Sequence, residues 1–192
     1  MKVLALYQLK GGVGKTAAAF NLACLAAEAG VPTVLWDLDP QGAASFLAGN
    51  EAAPDAGKPK ALWSGDAPIG QWVQATARPN LSLIPASLTS RHLDTWLRKG
   101  SDGTLASLLA PLSEQFALCV LDCPPSLSHL AENVLQAADR VLLPVVPTPL
   151  SLRALRQVLH YGAEHGLPHA VHISTCSCGR FCIHKPLREG EA

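Results

Sequence analysis

The chain predicts an α/β fold with three layers, α/β/α, around a mostly parallel central sheet. Three observations carry that expectation. The apolar run Val3-Leu4-Ala5-Leu6-Tyr7-Gln8-Leu9 passes through Lys10-Gly11-Gly12-Val13-Gly14-Lys15-Thr16 into the helix formers of residues 17–29, the strand–loop–helix layout of a loop that wraps phosphate. Val31 to Leu38 and Phe116 to Asp122 are further, almost uninterrupted apolar runs, which read as strands buried on both faces. Helical stretches separate the strands, and that alternation argues a parallel sheet covered on both sides.

Taken in order, Thr16 to Ala29 is predicted helical, with Phe20, Leu22, Ala23, Leu25 and Ala26 as apolar contacts and Gly30 as its C-terminal cap. Pro32 forbids continuation. The strand from Val31 to Leu38 delivers Asp37-Leu38-Asp39-Pro40-Gln41-Gly42 to its end. Asn50 to Lys60 reads as an exposed loop with solvated Lys58 and Lys60, and at least one of Trp63 and Trp72 is expected in a packed cluster. A short strand, Leu81 to Ala86, precedes a predicted helix from Leu88 to Lys99 with Leu93, Trp96 and Leu97 on one face. Gly100 to Gly103 breaks it, and Thr104 to Leu112 predicts another helix. After the Asp122 strand come a helix over Ser128 to Ala138, a buried strand over Val141 to Val146, and a helix from Pro147 to about Tyr161. No internal repeat is evident.

The residue types explain the chemistry. Glycines at 11, 12 and 14 let successive N–H groups turn toward phosphate oxygens, and the helix N-terminus adds partial positive charge. Lys15 then reaches the outer phosphates and the Thr16 hydroxyl ligates Mg²⁺. Open α/β sheets place ligands at the carboxyl ends of their strands, so Asp37 and Asp39, two apart and similarly directed, lie on the loop's side of the sheet. A buried strand ending in Asp122 is the mechanical form of a metal-side carboxylate. The plainer alternatives are a Gly-rich strand–helix turn, and an Asp pair that serves as turn and helix cap.

Composition bounds the class. Hydrophobic residues make up 48% of the 192 and charged residues 16%, enough for a well-buried domain and against disorder. Lys plus Arg equals Asp plus Glu at 15 each, so no global basic charge advertises nucleic acid. No apolar stretch has membrane-spanning length, and Met1-Lys2 leads straight into a core strand, so a cytoplasmic location without membrane attachment is expected. Of the 6 cysteines, Cys24, Cys119 and Cys123 lie in apolar segments and read as buried thiols.

The loop departs from the ordinary phosphate-loop pattern, with Leu9 where glycine stands and an extra lysine, Lys10. In this it resembles the deviant Walker A motif of the ParA/MinD family of P-loop ATPases, closest to the ParA/Soj partition type. Asp37-Leu38-Asp39-Pro40-Gln41-Gly42 and Asp122-Cys123-Pro124-Pro125 resemble that family's next two motifs, and Leu143 to Ser151 is similar again. The resemblance implies a P-loop fold that binds ATP and Mg²⁺ through Lys10, Gly11, Gly12, Val13, Gly14, Lys15 and Thr16. It implies catalytic roles for Lys10, Lys15 and Asp39: Lys10 crosses to the partner's phosphates in an ATP-state homodimer, and Asp39 positions or activates the attacking water. Thr16, Asp37 and Asp122 fall to the metal, Asp37 supporting its sphere and Asp122 reaching it through water. A ParB-like or cargo-adaptor activator is implied as a partner, with non-specific DNA a further candidate.

The resemblance covers roughly residues 1–166 and fails over 167–192. There His169 to Ser174 predicts one strand, followed by Cys176, Cys178, Cys182 and His184. Neither the family's basic DNA-binding region nor its membrane helix is identifiable, and a diverged, truncated or frame-shifted end is expected. Two alternatives stay open: a metal or iron–sulfur carrier using Cys176 and Cys178, and a nucleotide-binding module without efficient turnover.

Overall fold

A computed structural model describes residues 1–49, 61–62, 67–86, 104–165, 170–175 and 181–184. Its strands are β1 (Lys2–Leu6), β2 (Thr33–Asp37), β3 (Gln74–Ala75), β4 (Leu81–Ile84), β5 (Leu118–Asp122), β6 (Arg140–Val145), β7 (Ala170–Thr175) and β8 (Phe181–His184). They form one sheet in the order β3-β4-β2-β5-β1-β6-β7-β8. All pairs from β4 to β7 are parallel, while β3 and β8 close the edges antiparallel. The helices are α1 (Lys15–Glu28), α2 (Ala43–Leu47), α3 (Leu105–Leu109), α4 (His129–Ala137) and α5 (Pro149–His165).

Side-chain alternation along the strands divides the interior into two cores. Val3, Ala5, Tyr7, Val34, Trp36, Cys119, Leu121, Val141 and Leu143 face one way, against Leu105, Leu109, Leu112, Leu130, Val134 and Val158 of the later helices. Leu6, Leu35, Leu83 and Val120 face the other way, against Ala18, Ala19, Ala23, Cys24 and Ala27 of α1 and Ala44 of α2. The predicted three-layer α/β/α arrangement with a mostly parallel sheet is therefore what forms.

Several elements refine the expectations. On α1 the buried contact is made by small residues, Phe20 and Leu22 pack partly buried against it as expected, and Leu25 is 60% exposed. A helix that lies close over a flat sheet packs best through alanines, which turns the bulkier leucine outward. Gly30 ends the helix as foreseen, at φ +81°, its N–H donating to the Ala27 carbonyl while Val31 N–H reaches that of Ala26. The helix predicted over Thr104 to Leu112 keeps α geometry only to Leu109 and tightens into a 3₁₀ turn over Ala110–Glu114. Pro111 has no N–H to continue the ladder. Trp72 is buried in the first core. The loop Asn50 to Lys60, Trp63, the helix predicted over Leu88 to Lys99, and the tail residues His169, Cys176 and Cys178 lie outside the described residues. One strand was expected beyond residue 166; β8 is a second, held by its pairing with β7.

Candidate functional site

The parallel register brings the site together. Asp37 and Asp122 end β2 and β5 and pair directly with each other, while Leu6 at the end of β1 pairs with Asp122 on its other side. Leu35 and Val120, two residues before these aspartates, both face α1, so alternation turns both carboxylates toward the start of α1, where Lys15 and Thr16 stand. Asp39 follows two residues later. The three aspartates singled out in the sequence thus converge with the glycine loop at the carboxyl edge of the sheet.

The loop itself has the backbone this work needs. Gly12 and Gly14 sit at φ +72° and +90°, a region closed to side chains without strain, and a Cβ at Gly11, Gly12 or Gly14 would meet no protein atom within 4 Å. The cradle is open to a ligand, and Gly14 caps α1 without offering it a side-chain acceptor. Anchoring comes from below: Val13 is buried, and Gln8, wholly buried, accepts from Leu9 N–H at 2.9 Å through Oε1. Its Nε2 approaches the Pro144 carbonyl of β6 at 3.5 Å. The only sequence signal for that anchor is an amide inside an otherwise apolar run. Lys10 is half-buried and forms no ion pair among the described residues.

Electrostatics separates the carboxylates. Asp122 is fully buried, and neither of its oxygens completes a hydrogen bond. Burial pushes its pKa up to about 7; the nearby Thr16 hydroxyl and Lys15 pull it down, and Asp37 and Asp39 push it further up. Asp37, equally inaccessible, is well held: Oδ2 accepts from Ser45 N–H and Ser45 Oγ, each at 2.8 Å, and Oδ1 accepts from Asp39 N–H at 3.2 Å. Burial raises its pKa, and the Ser45 bonds counter that. Asp37 thereby caps the third residue of α2, whose N-terminal Gly42 has no side chain to do so. Cap and metal-side carboxylate are compatible, since each oxygen has two lone pairs. Asp39 is partly exposed and accepts from Gln41 N–H at 3.0 Å, which turns the chain into α2. Lys15 is 7% exposed and its pKa is lowered by burial, against the raising influence of Asp122 and Asp39.

A buried, unpartnered carboxylate beside a lysine, a threonine hydroxyl and an open glycine cradle fits a divalent cation with polyphosphate. The anions supply what a hard cation binds, and the loop supplies N–H groups for phosphate. Behind this edge Cys119, pushed up to about 12, and Cys123, held well above its ordinary value, are buried and inert as thiolates. Among the described residues no group of three or more His, Cys, Asp and Glu side chains is arranged to hold a metal ion by itself, so a cation here would draw on the Thr16 hydroxyl and the phosphates as well as the aspartates.

Comparison with known proteins bears on the same residues. A family model described as an AAA domain matches residues 1–164. The chromosome partitioning protein ParA of Myxococcus xanthus is 34% identical over 161 residues, covering 83% of this chain. The chain spans 57% of that relative's length. Among solved structures, an ATP complex of a Cyanothece McdA variant superposes with a TM-score of 0.79 at 28% identity, covering 91% of this chain and 67% of the other. The cobyrinic acid a,c-diamide synthase of Mycobacterium smegmatis, with ADP and magnesium bound, also gives 0.79 at 29% identity, covering 92% and 74%. With its phosphate loop, its three aspartates and its sheet order in that company, the chain belongs to the ParA/Soj type of P-loop ATPase family.

Proposed function

We propose that this chain is a Mg²⁺-dependent ATPase that switches between monomer and ATP-bound homodimer to partition DNA or position intracellular cargo. The observation that carries the reading is Asp122, a buried carboxylate with both oxygens unpartnered, set in register beside Asp37 and facing the Lys15–Thr16 start of α1. The ATP complex of the McdA variant and the ADP–magnesium complex of the cobyrinic acid synthase support the choice of ligand.

In this reading the N–H groups of Gly11 to Thr16 hold the phosphates and Lys15 neutralises the outer ones. Thr16 Oγ1, Asp37 and Asp122 hold the cation, which supplies charge neutralisation at the phosphates. Asp39, exposed enough to meet water, orients the attacking molecule. Lys10 stands free at the mouth of the loop to cross to a second copy and stabilise charge there, as an arginine finger does, tying turnover to pairing. Turnover is slow alone and raised by a ParB-like or cargo-adaptor protein, with non-specific DNA as a further surface.

No helix among the described residues is long and apolar enough to cross a membrane, and a cytoplasmic location is part of the proposal. Residues 1–166 form the nucleotide-binding domain and 167–192 its divergent tail, a division supported by a family match that ends at residue 164.

The deciding experiment measures binding of a fluorescent ATP analogue and release of phosphate, each with and without Mg²⁺. The wild-type chain binds and turns over slowly, and Lys15→Ala loses binding. Unchanged affinity in Lys15→Ala would remove the site assignment.

A further inference from the structure

Asp37 and Asp122 are register partners on adjacent strands, yet their surroundings treat them oppositely. Asp122 completes no hydrogen bond, with only the Thr16 hydroxyl near it, whereas Asp37 is gripped by one residue from two directions, the amide and the hydroxyl of Ser45. Ser45 is itself 6% exposed, so neither bond competes with bulk water. Its hydroxyl does one thing more. Ser45 Oγ accepts the Ala86 N–H at 2.8 Å, just beyond β4. A hydroxyl has one proton to give. With a lone pair committed to Ala86, that proton is aimed at Asp37 Oδ2 and has little freedom to turn elsewhere.

The result is a fixed chain of bonds, Ala86 N–H to Ser45 Oγ, then Ser45 Oγ–H to Asp37 Oδ2. It joins the exit of β4, the first turn of α2 and the end of β2. Because Oδ2 takes both Ser45 bonds while Oδ1 has only the longer contact from Asp39 N–H, Oδ1 keeps the greater capacity to accept. The carboxylate is thus presented with one oxygen committed inward and the other available.

We propose that Ser45 is a positioning residue for the cation site: it locks the orientation of Asp37 and couples the load on that carboxylate to the Ala86 backbone at the end of β4. The inference rests on the reading of the site as one for MgATP. Outer-shell donors of this kind orient a ligand without touching the metal, and their removal characteristically weakens metal binding more than anything else.

The test is a titration of the fluorescent ATP analogue in Mg²⁺ and in EDTA, paired with hydrogen exchange at the Ala86 amide. Ser45→Ala should lose about 10-fold in the enhancement of binding by Mg²⁺ while affinity in EDTA stays within about two-fold. The Ala86 amide should exchange faster in that variant, and Ser45→Thr, which keeps the hydroxyl, should restore both readings. If Ser45→Ala does not fold, Ser45→Cys, with a far weaker donor and acceptor, is read in the same titration. Wild-type Mg²⁺ dependence in Ser45→Ala, or in Ser45→Cys where that is the variant read, or equal losses in Mg²⁺ and EDTA there, overturns the positioning role and leaves the site reading standing. A wild-type chain that binds no ATP analogue overturns both.

Discussion

Asp122 holds its proton well above the ordinary carboxylate range, and that departure has a sign. The native carboxyl holds its proton up to about pH 7, whereas the unfolded one releases it near 3.8. Between those values the native state binds more protons, so this group's contribution to stability falls as pH rises through the window. Asp122→Asn removes the penalty. Thermal melts of the nucleotide-free protein should show a flatter profile between pH 4 and 7 for Asp122→Asn than for wild type, with a higher Tm for the variant above pH 7. Parallel profiles would refute this account of the buried charge. For Asp39 the expectation concerns turnover: Asp39→Ala should bind ATP, stop releasing phosphate and accumulate as the ATP-bound dimer. Normal hydrolysis by that variant would reject its role. All three aspartates were legible in the sequence, because a strand's end and its alternation are local properties. Ser45 and Gln8 were not, since what they hold lies on other strands: Asp37 and Ala86 for one, Pro144 for the other.

At the scale of elements, α1 shows what periodicity conveys and what it leaves open. Its extent and its Gly30 cap follow from local rules, and Gly30→Ala, forcing a Cβ into φ +81°, should destabilise the protein by about 1 kcal/mol in denaturant melts. A Cβ there meets no neighbour, so the loss would report backbone strain alone. An unchanged midpoint would show that the cap relaxes. Which apolar residues α1 buries was decided elsewhere: the sheet accepts Ala19 and Ala23 at close range and leaves Leu25 outside. The same holds at the sheet's edges. The two-residue strand β3 and the four-residue β8 have too little pattern of their own, and each exists through antiparallel pairing with a longer neighbour. Pro111 marks the opposite case, a single residue whose missing N–H sets where α geometry stops.

For the whole molecule the central prediction is pairing. Lys10→Ala should leave binding of the ATP analogue by the monomer intact and abolish the ATP-dependent dimer in light scattering. A dimer that persists would count against the crossing lysine. The single chain is consistent with such a role, since Lys10 has no ion pair among the described residues and stands half-buried beside the exposed Gly11 and Gly12.

The sequence by itself determined the class of fold and singled out the glycine loop and the three aspartates that the fold brings to one edge of the sheet. Each of these depends on short-range facts: the conformational freedom of glycine, the continuity of apolar runs, and charges placed at strand ends. Only the tertiary structure decided that β5 inserts between β1 and β2, which sets Asp122 against Asp37, and that Ser45 takes one of this pair while the other stays unpartnered. The physical reason is that strand order and hydrogen-bond allocation join residues far apart in the chain, 85 positions for Asp37 and Asp122 and 136 for Gln8 and Pro144, and no local preference encodes a partner at that distance.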